Sequence, residues 1–179
     1  MRKSVTACIL LLTIFSATGA DINNSKPLEV VDSVNLKKYT RLWYEIARVP
    51  NRFQSSCVQK VTAKYELRKD GTINVINKCE QKNGKTNQVE GIAKIVEPQT
   101  NAKLKVSFVQ ILGFSLFWGD YWIIVLDDNY EYAVVGHPER KYGWILSRSP
   151  ELPDSTMKDI FKIIKNKGYD TERFKLTQQ

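Results

Sequence analysis

The sequence predicts an all-β fold followed by one α-helix, and two observations carry this. Eight short segments rich in β-branched and aromatic residues recur at regular spacing between turn signals, the pattern of a β-sandwich or a closed barrel. One segment near the C-terminus changes to helical periodicity, with apolar residues at i, i+3, i+4 and i+7.

The first 20 residues stand apart from this pattern. Arg2 and Lys3 form a positive start, residues 8–15 are apolar, and Ala17, Thr18, Gly19 and Ala20 are small. That order is a secretory signal peptide with cleavage after Ala20. The apolar run is too short to span a bilayer, and no later segment reaches about 18 uncharged apolar residues. The chain is therefore read as exported, periplasmic or secreted. Val5-Thr6-Ala7-Cys8 resembles a lipoprotein processing box, but Cys8 precedes the apolar region instead of following it. Outer-membrane association is kept as the alternative location.

The elements follow in order. Residues 21–34 are polar and read as a loose lead-in. Residues 43–49 form the first strand. Residues 58–68 are the clearest, because Val61, Ala63, Tyr65 and Leu67 alternate with Thr62, Lys64, Glu66 and Arg68. Asp70-Gly71 makes a hairpin turn, and residues 72–79 return with Ile73, Val75 and Asn77 on one side. Asn83-Gly84 is the next turn and 87–96 the next strand, broken by residues 98–101. Leu104, Val106 and Phe108 alternate with Lys103, Lys105 and Ser107. Residues 121–126, 130–136 and 142–148 complete the set, with a turn at Asp127-Asp128-Asn129. In the helix, Asp154 reads as the N-cap. Met157, Ile160, Phe161 and Ile164 form one apolar stripe, and Gly168 is the stop.

Composition narrows the chemistry. The chain has 27 Lys+Arg against 19 Asp+Glu, a net charge of +8, which favours solubility and attraction to anionic lipid surfaces. No basic stripe with interleaved aromatics is present, so a nucleic-acid partner is not expected. Cys8 leaves with the signal peptide. Cys57 and Cys79 remain as an even pair in an oxidising compartment, so a disulfide between them is expected, stabilising the fold by roughly 3 kcal/mol. His137 is the sole histidine and lies in a loop beside Pro138. No nucleophilic triad can be assembled around it, and neither a metal cluster nor a phosphate-cradling loop is found. No cofactor and no metal are expected.

Three motifs carry a resemblance. Residues 35–54 read Asn-Leu-Lys-Lys-Tyr-Thr-Arg-Leu-Trp-Tyr-Glu-Ile-Ala-Arg-Val-Pro-Asn-Arg-Phe-Gln, residues 126–130 read Leu-Asp-Asp-Asn-Tyr, and residues 142–148 read Tyr-Gly-Trp-Ile-Leu-Ser-Arg. In this order they resemble the three signatures of the lipocalin family, in the form found in bacterial outer-membrane lipocalins and apolipoprotein D-like members. The likeness spans residues 31–179, and the lipocalin domain is placed at 35–179. It implies an eight-stranded antiparallel up-and-down β-barrel with one C-terminal helix packed outside. It also implies that Arg148 lies over Trp43 and seals the closed end. Arg41 departs from the family pattern, which has glycine there, and points to a remodelled barrel floor.

The resemblance implies a ligand site inside the barrel. Tyr65, Asn77 and Trp144 correspond to ligand-facing positions of apolipoprotein D-like members. Alternation from Trp43 sends Glu45 inward, although a buried carboxylate beside an anionic ligand is unfavourable unless protonated or paired. Val75, Phe108 and Leu146 supply apolar lining. The uncharged stretch 109–118 either extends two strands or forms an apolar lip, with Leu112, Phe114, Leu116, Phe117 and Trp118 as membrane-contact candidates. The implied function is binding, storage or transport of a fatty acid or lysophospholipid in the bacterial cell envelope, by a monomer or weak homodimer without covalent chemistry. Two alternatives stay open. One is a lipid-modifying enzyme of the same fold, working through a free Cys79 thiol or Glu45. The other is a structural envelope protein with a filled barrel.

Overall fold

The structure is a computed structural model that describes residues 26–111 and 114–179. The signal-peptide reading of residues 1–20 and the candidate Leu112 lie outside the described residues.

Eight antiparallel strands close into a barrel. They are β1 (Arg41–Arg48), β2 (Cys57–Leu67), β3 (Ile73–Gln81), β4 (Thr86–Ile95), β5 (Lys103–Ser107), β8 (Gly119–Leu126), β9 (Tyr132–Gly136) and β10 (Gly143–Ser147). Each pairs with the next, and β10 returns to pair with β1. This is the predicted set of strands. Between β5 and β8 a separate two-stranded ribbon forms from β6 (Val109–Ile111) and β7 (Phe114–Leu116). The stretch 109–118 therefore does not extend the barrel strands. A short strand β11 (Lys175–Leu176) adds to β1. The turns at 70–71 and 83–84 form as read, with Gly71 at φ 81° and Gly84 at φ 75°, which glycine adopts without a Cβ penalty.

Period-two alternation splits the barrel into two apolar layers. Trp43, Ile73, Val75, Leu104, Ile123 and Val135 pack inside. Ile124, Val134 and Ile145 face outward and are covered by helix α2 (Asp154–Asn166). The helical stripe does this: Ile160 and Ile164 are fully buried, and Met157 and Phe161 pack beside them. Gly168, at φ 85°, ends the helix as expected, and the Tyr169 N–H donates to the Ile164 carbonyl at 3.0 Å. Asp154 is not the cap. The Pro153 carbonyl accepts from the Met157 N–H at 3.0 Å, which puts the cap at Pro153 and Asp154 at the first helical position. Its charge there still meets the positive end of the helix dipole.

Two further expectations change. The lead-in is not loose over its described part. Leu28 and Val34 are buried, the Val31 N–H donates to the Ile123 carbonyl, and the Val34 N–H donates to Thr100. Leu67 is on the same face as its strand partner Ile73 but is exposed and does not line the interior. Tyr65 already packs against Tyr39 at the base of the barrel, so the last residue of β2 lies beyond it.

One end of the barrel is sealed. The short helix α1 (Leu36–Tyr39) crosses beneath it, and the Trp43 indole N–H donates to the Tyr39 carbonyl at 2.8 Å. The Arg148 guanidinium lies 3.6 Å from the Trp43 ring centroid, the arrangement that the resemblance implied. Its N–H groups donate to the carbonyls of Leu42 and Lys38, both at 2.7 Å, and of Tyr39 at 3.0 Å. A cation thus satisfies the free carbonyls at the C-terminal end of α1 while covering the aromatic floor.

The same region explains Arg41. Its φ is 102°, a backbone conformation that a Cβ disfavours and glycine adopts freely. Arg41 holds this conformation under strain.

Two predictions follow from the floor. Arg41→Gly raises the stability measured by urea unfolding by about 1 kcal/mol, because relief of strain exceeds the added flexibility of the unfolded chain. No gain would mean that the backbone at Arg41 is unstrained. Arg148→Ala lowers stability by about 2–4 kcal/mol through loss of the cation–π contact and several charge-assisted hydrogen bonds. Arg148→Lys restores less than half of that, since an ammonium cannot reach the same carbonyls.

Candidate ligand cavity

With its floor sealed, the barrel keeps an interior cavity of about 430 Å³ that opens at the opposite end. The opening is bordered by the turn at Arg52–Gln54, the loop between β3 and β4, the β6–β7 ribbon and the β9–β10 loop. The inner faces of the strands supply the wall as alternation predicts. Val61, Ala63, Ile73, Val75, Leu104, Val106 and Leu146 are its aliphatic part, and Phe108 stands near the mouth. The Cys57–Cys79 disulfide has formed, with Cα atoms 5.5 Å apart, and ties β2 to β3 beside the cavity.

Three tyrosines form the deep polar group. The Tyr39 and Tyr121 hydroxyls are 2.7 Å apart, and Tyr121 donates to the Tyr65 hydroxyl at 3.0 Å. Tyr121 has one proton to give, and it goes to Tyr65. Tyr39 therefore donates to Tyr121, and the relay runs Tyr39 to Tyr121 to Tyr65. The Tyr65 hydrogen is left at the end of this chain on the cavity wall. Burial pushes the Tyr65 hydroxyl up to about 12, opposed by the hydrogen bond from Tyr121 and assisted by the charge of Glu45. Burial also pushes Tyr39 and Tyr121 well above the ordinary tyrosine value. All three stay neutral near pH 7 and act as donors.

A second polar group lies higher. The Trp144 indole N–H donates to Gln54 Oε1 at 2.8 Å, and Gln54 Nε2 donates to Glu45 Oε2 at 2.8 Å. Glu45 Oε1 accepts from Arg48 at 2.5 Å and from the Thr177 hydroxyl at 2.7 Å. The Glu45 carboxylate is 3% exposed and meets the condition set for a buried charge, because it is paired and hydrogen-bonded. Backbone irregularities make room for this network. The β1–β10 register slips between Glu45 and Ala47, and Lys60 sits at φ 51° where β2 breaks register with β3. Residues of the C-terminal tail fill in beside β1 and β2. Gln179 Nε2 donates to the Glu45 and Val61 carbonyls at 2.6 and 3.1 Å.

The sequence-predicted site residues thus fall into three groups. Val75, Phe108 and Leu146 give apolar wall. Glu45 and Trp144 line the cavity, but their polar atoms are engaged with Gln54, Arg48 and Thr177. Tyr65 keeps an uncommitted hydrogen, and Asn77 Oδ1 is buried with no hydrogen-bond partner among the described residues. Tyr39, Tyr121 and Gln54 were not singled out from the sequence. Alternation along β8, which places Tyr121 with Ile123, was the available signal for Tyr121.

The groups named for the catalytic alternative are both occupied, Cys79 by its disulfide and Glu45 by Arg48. His137 lies in the β9–β10 loop, where its Nδ1 accepts from the Glu139 N–H at 3.2 Å and burial lowers its pKa. Among the described residues no group of three or more His, Cys, Asp or Glu side chains could hold a metal ion. Among them, too, no helix is long and apolar enough to cross a membrane.

Comparison with known proteins agrees with this architecture. The lipocalin-like domain model matches residues 34–179. The outer membrane lipoprotein Blc of Escherichia coli strain K12 is 38% identical over 177 residues, covering 98% of this chain and 94% of its own. Temperature-induced lipocalin-1 of Arabidopsis thaliana is 38% identical over 161 residues, covering 88% of this chain and 86% of its own. Mouse apolipoprotein D is 35% identical, with 84% and 79% covered. Among solved structures, insecticyanin of the tobacco hornworm Manduca sexta superposes with a TM-score of 0.67 at 22% identity, over 85% of this chain and 84% of that one, a likeness of fold alone. The closed eight-stranded barrel, its sealed floor, the outer helix and these matches place the chain in the lipocalin family.

Proposed function

We propose that this lipocalin binds, stores or transports a fatty acid or lysophospholipid in the bacterial cell envelope, without covalent chemistry. The observation that carries this reading is the cavity itself: about 430 Å³ of mostly apolar interior with one open end. Such a space suits an acyl chain. Each methylene moved out of water contributes about 0.8 kcal/mol, so a dozen give on the order of 10 kcal/mol before ordering costs. The similarity to an outer membrane lipoprotein supports an envelope location. The engagement of Cys79 and Glu45 supports a carrier over an enzyme. Lipocalins are generally ligand carriers, in keeping with the same choice.

Two uncommitted polar groups orient the ligand. The Tyr65 hydroxyl offers a donor near the floor, suited to a carbonyl or carboxylate oxygen. Asn77 Oδ1 offers an acceptor partway up the wall, suited to a ligand hydroxyl. A fatty-acid anion has no such hydroxyl, whereas a lysophospholipid has one on its glycerol.

The test is a titration of the purified protein with palmitate and with palmitoyl lysophosphatidylglycerol, each displacing a fluorescent fatty acid. Saturable binding of one molecule per chain is expected. Tyr65→Phe weakens palmitate about tenfold, the value of one buried hydrogen bond. Asn77→Leu weakens the lysophospholipid about tenfold and leaves palmitate nearly unchanged. Failure of both lipids to displace the probe contradicts the proposal, and equal effects of Asn77→Leu on both lipids contradict the assigned role of Asn77.

A further inference from the structure

The β6–β7 ribbon stands at the rim of the cavity and is apolar on one face only. Its register pairs Val109 with Leu116 and Ile111 with Phe114, so these four side chains share a face, while Gln110 and Ser115 pair on the other. All four are exposed, Phe114 by 73%. Phe117, next along the chain, lines the cavity mouth and is 82% exposed, and Phe53 lies exposed on another loop at the same opening. No charged residue occurs between Lys105 and Asp120.

The ribbon is held in this position. The Ser107 hydroxyl donates to the Leu116 carbonyl and accepts from the Val109 N–H, and the Trp118 indole donates to the Ser115 carbonyl at 3.1 Å. Two cations accompany the apolar rim. The Lys94 ammonium lies 4.2 Å from the Trp118 ring centroid, and the Arg52 guanidinium 5.3 Å from that of Phe53. Neither forms an ion pair among the described residues.

We propose that this rim docks onto a lipid bilayer containing anionic phospholipid. The apolar face of the ribbon, with Phe53 and Phe117, enters the acyl boundary, and Arg52 and Lys94 meet headgroup phosphates. Three features favour a bilayer over a protein partner. The apolar side chains project from the surface and form no groove. The unpaired flanking cations and a net positive charge, which persists without Arg2 and Lys3, complement an anionic surface. The patch borders the cavity opening, where Phe53, Val109 and Phe117 line it, so an apolar molecule leaving the barrel on that side passes into lipid without crossing water. The inference does not depend on which molecule fills the cavity.

The test is cosedimentation of the full protein with vesicles of phosphatidylcholine and phosphatidylglycerol, against phosphatidylcholine alone. The wild type is expected to bind the mixed vesicles more tightly. Phe114→Ser with Phe117→Ser weakens that binding about tenfold or more. Phe114→Ser alone weakens it less, and Leu176→Ser, which removes an equally exposed apolar side chain on β11, leaves it unchanged. Arg52→Gln with Lys94→Gln reduces binding only where phosphatidylglycerol is present. Thermal unfolding of each variant confirms an intact fold. Probe displacement in vesicle-free buffer reports the cavity separately, so failure of docking and failure of lipid binding in the barrel are told apart. The proposal is overturned if the wild type does not bind mixed vesicles, or if the phenylalanine variants bind as well as the wild type. A wild-type dimer that these variants dissociate, with no vesicle binding, would assign the patch to self-association instead.

Discussion

The Arg148 guanidinium over the Trp43 ring is the contact on which the rest of the structure depends. An eight-stranded barrel leaves an interior only slightly wider than its side chains can fill, so its use depends on which end is shut. Here one cation covers an aromatic floor and binds carbonyls of α1 and of β1. That single residue joins β10, β1 and the preceding helix. The cavity above it consequently has a base and a mouth, and a ligand in it has a direction. The strained backbone at Arg41, two residues from Trp43, shows how closely the chain must turn to build this base.

Inside the barrel, polar groups divide by what they are bonded to. Glu45 lines the cavity, yet its carboxylate is bonded to Arg48, Gln54 and Thr177. Breaking this set would leave a buried charge unpaired, which costs several kcal/mol. The network is therefore a wall support that joins β1 to the C-terminal tail. Among the described residues, uncommitted capacity remains where a chain of bonds ends, at the Tyr65 hydrogen, and at the buried Asn77 Oδ1. Buried polar atoms are normally satisfied, and the unpartnered Asn77 Oδ1 departs from that rule.

Most of the fold was legible in the sequence. Strict alternation in β2 and β3 fixed which face is inward, because a slip of one residue would put Thr62 and Lys64 inside. The signatures pointed to Arg148 over Trp43, and the helical stripe identified Ile160 and Ile164. Alternation failed at Leu67, since it describes a face and cannot show where the floor ends. It was silent on Gln54 and Thr177, which come from a turn and a tail and reach Glu45 only through tertiary structure. The apolar stretch 109–118 was read as uncharged from composition alone. Its separation into a two-faced ribbon follows from a register that composition does not contain.

The central claim is that the space above Trp43 exists to be filled. Native mass spectrometry of the protein isolated from its own cells, followed by extraction and identification of bound lipid, addresses it most directly. A population carrying one additional mass, recovered on extraction as a single-chain lipid, is expected. Protein that flies only at its bare mass, and that takes up no acyl chain when incubated with lipids extracted from those cells, would contradict it.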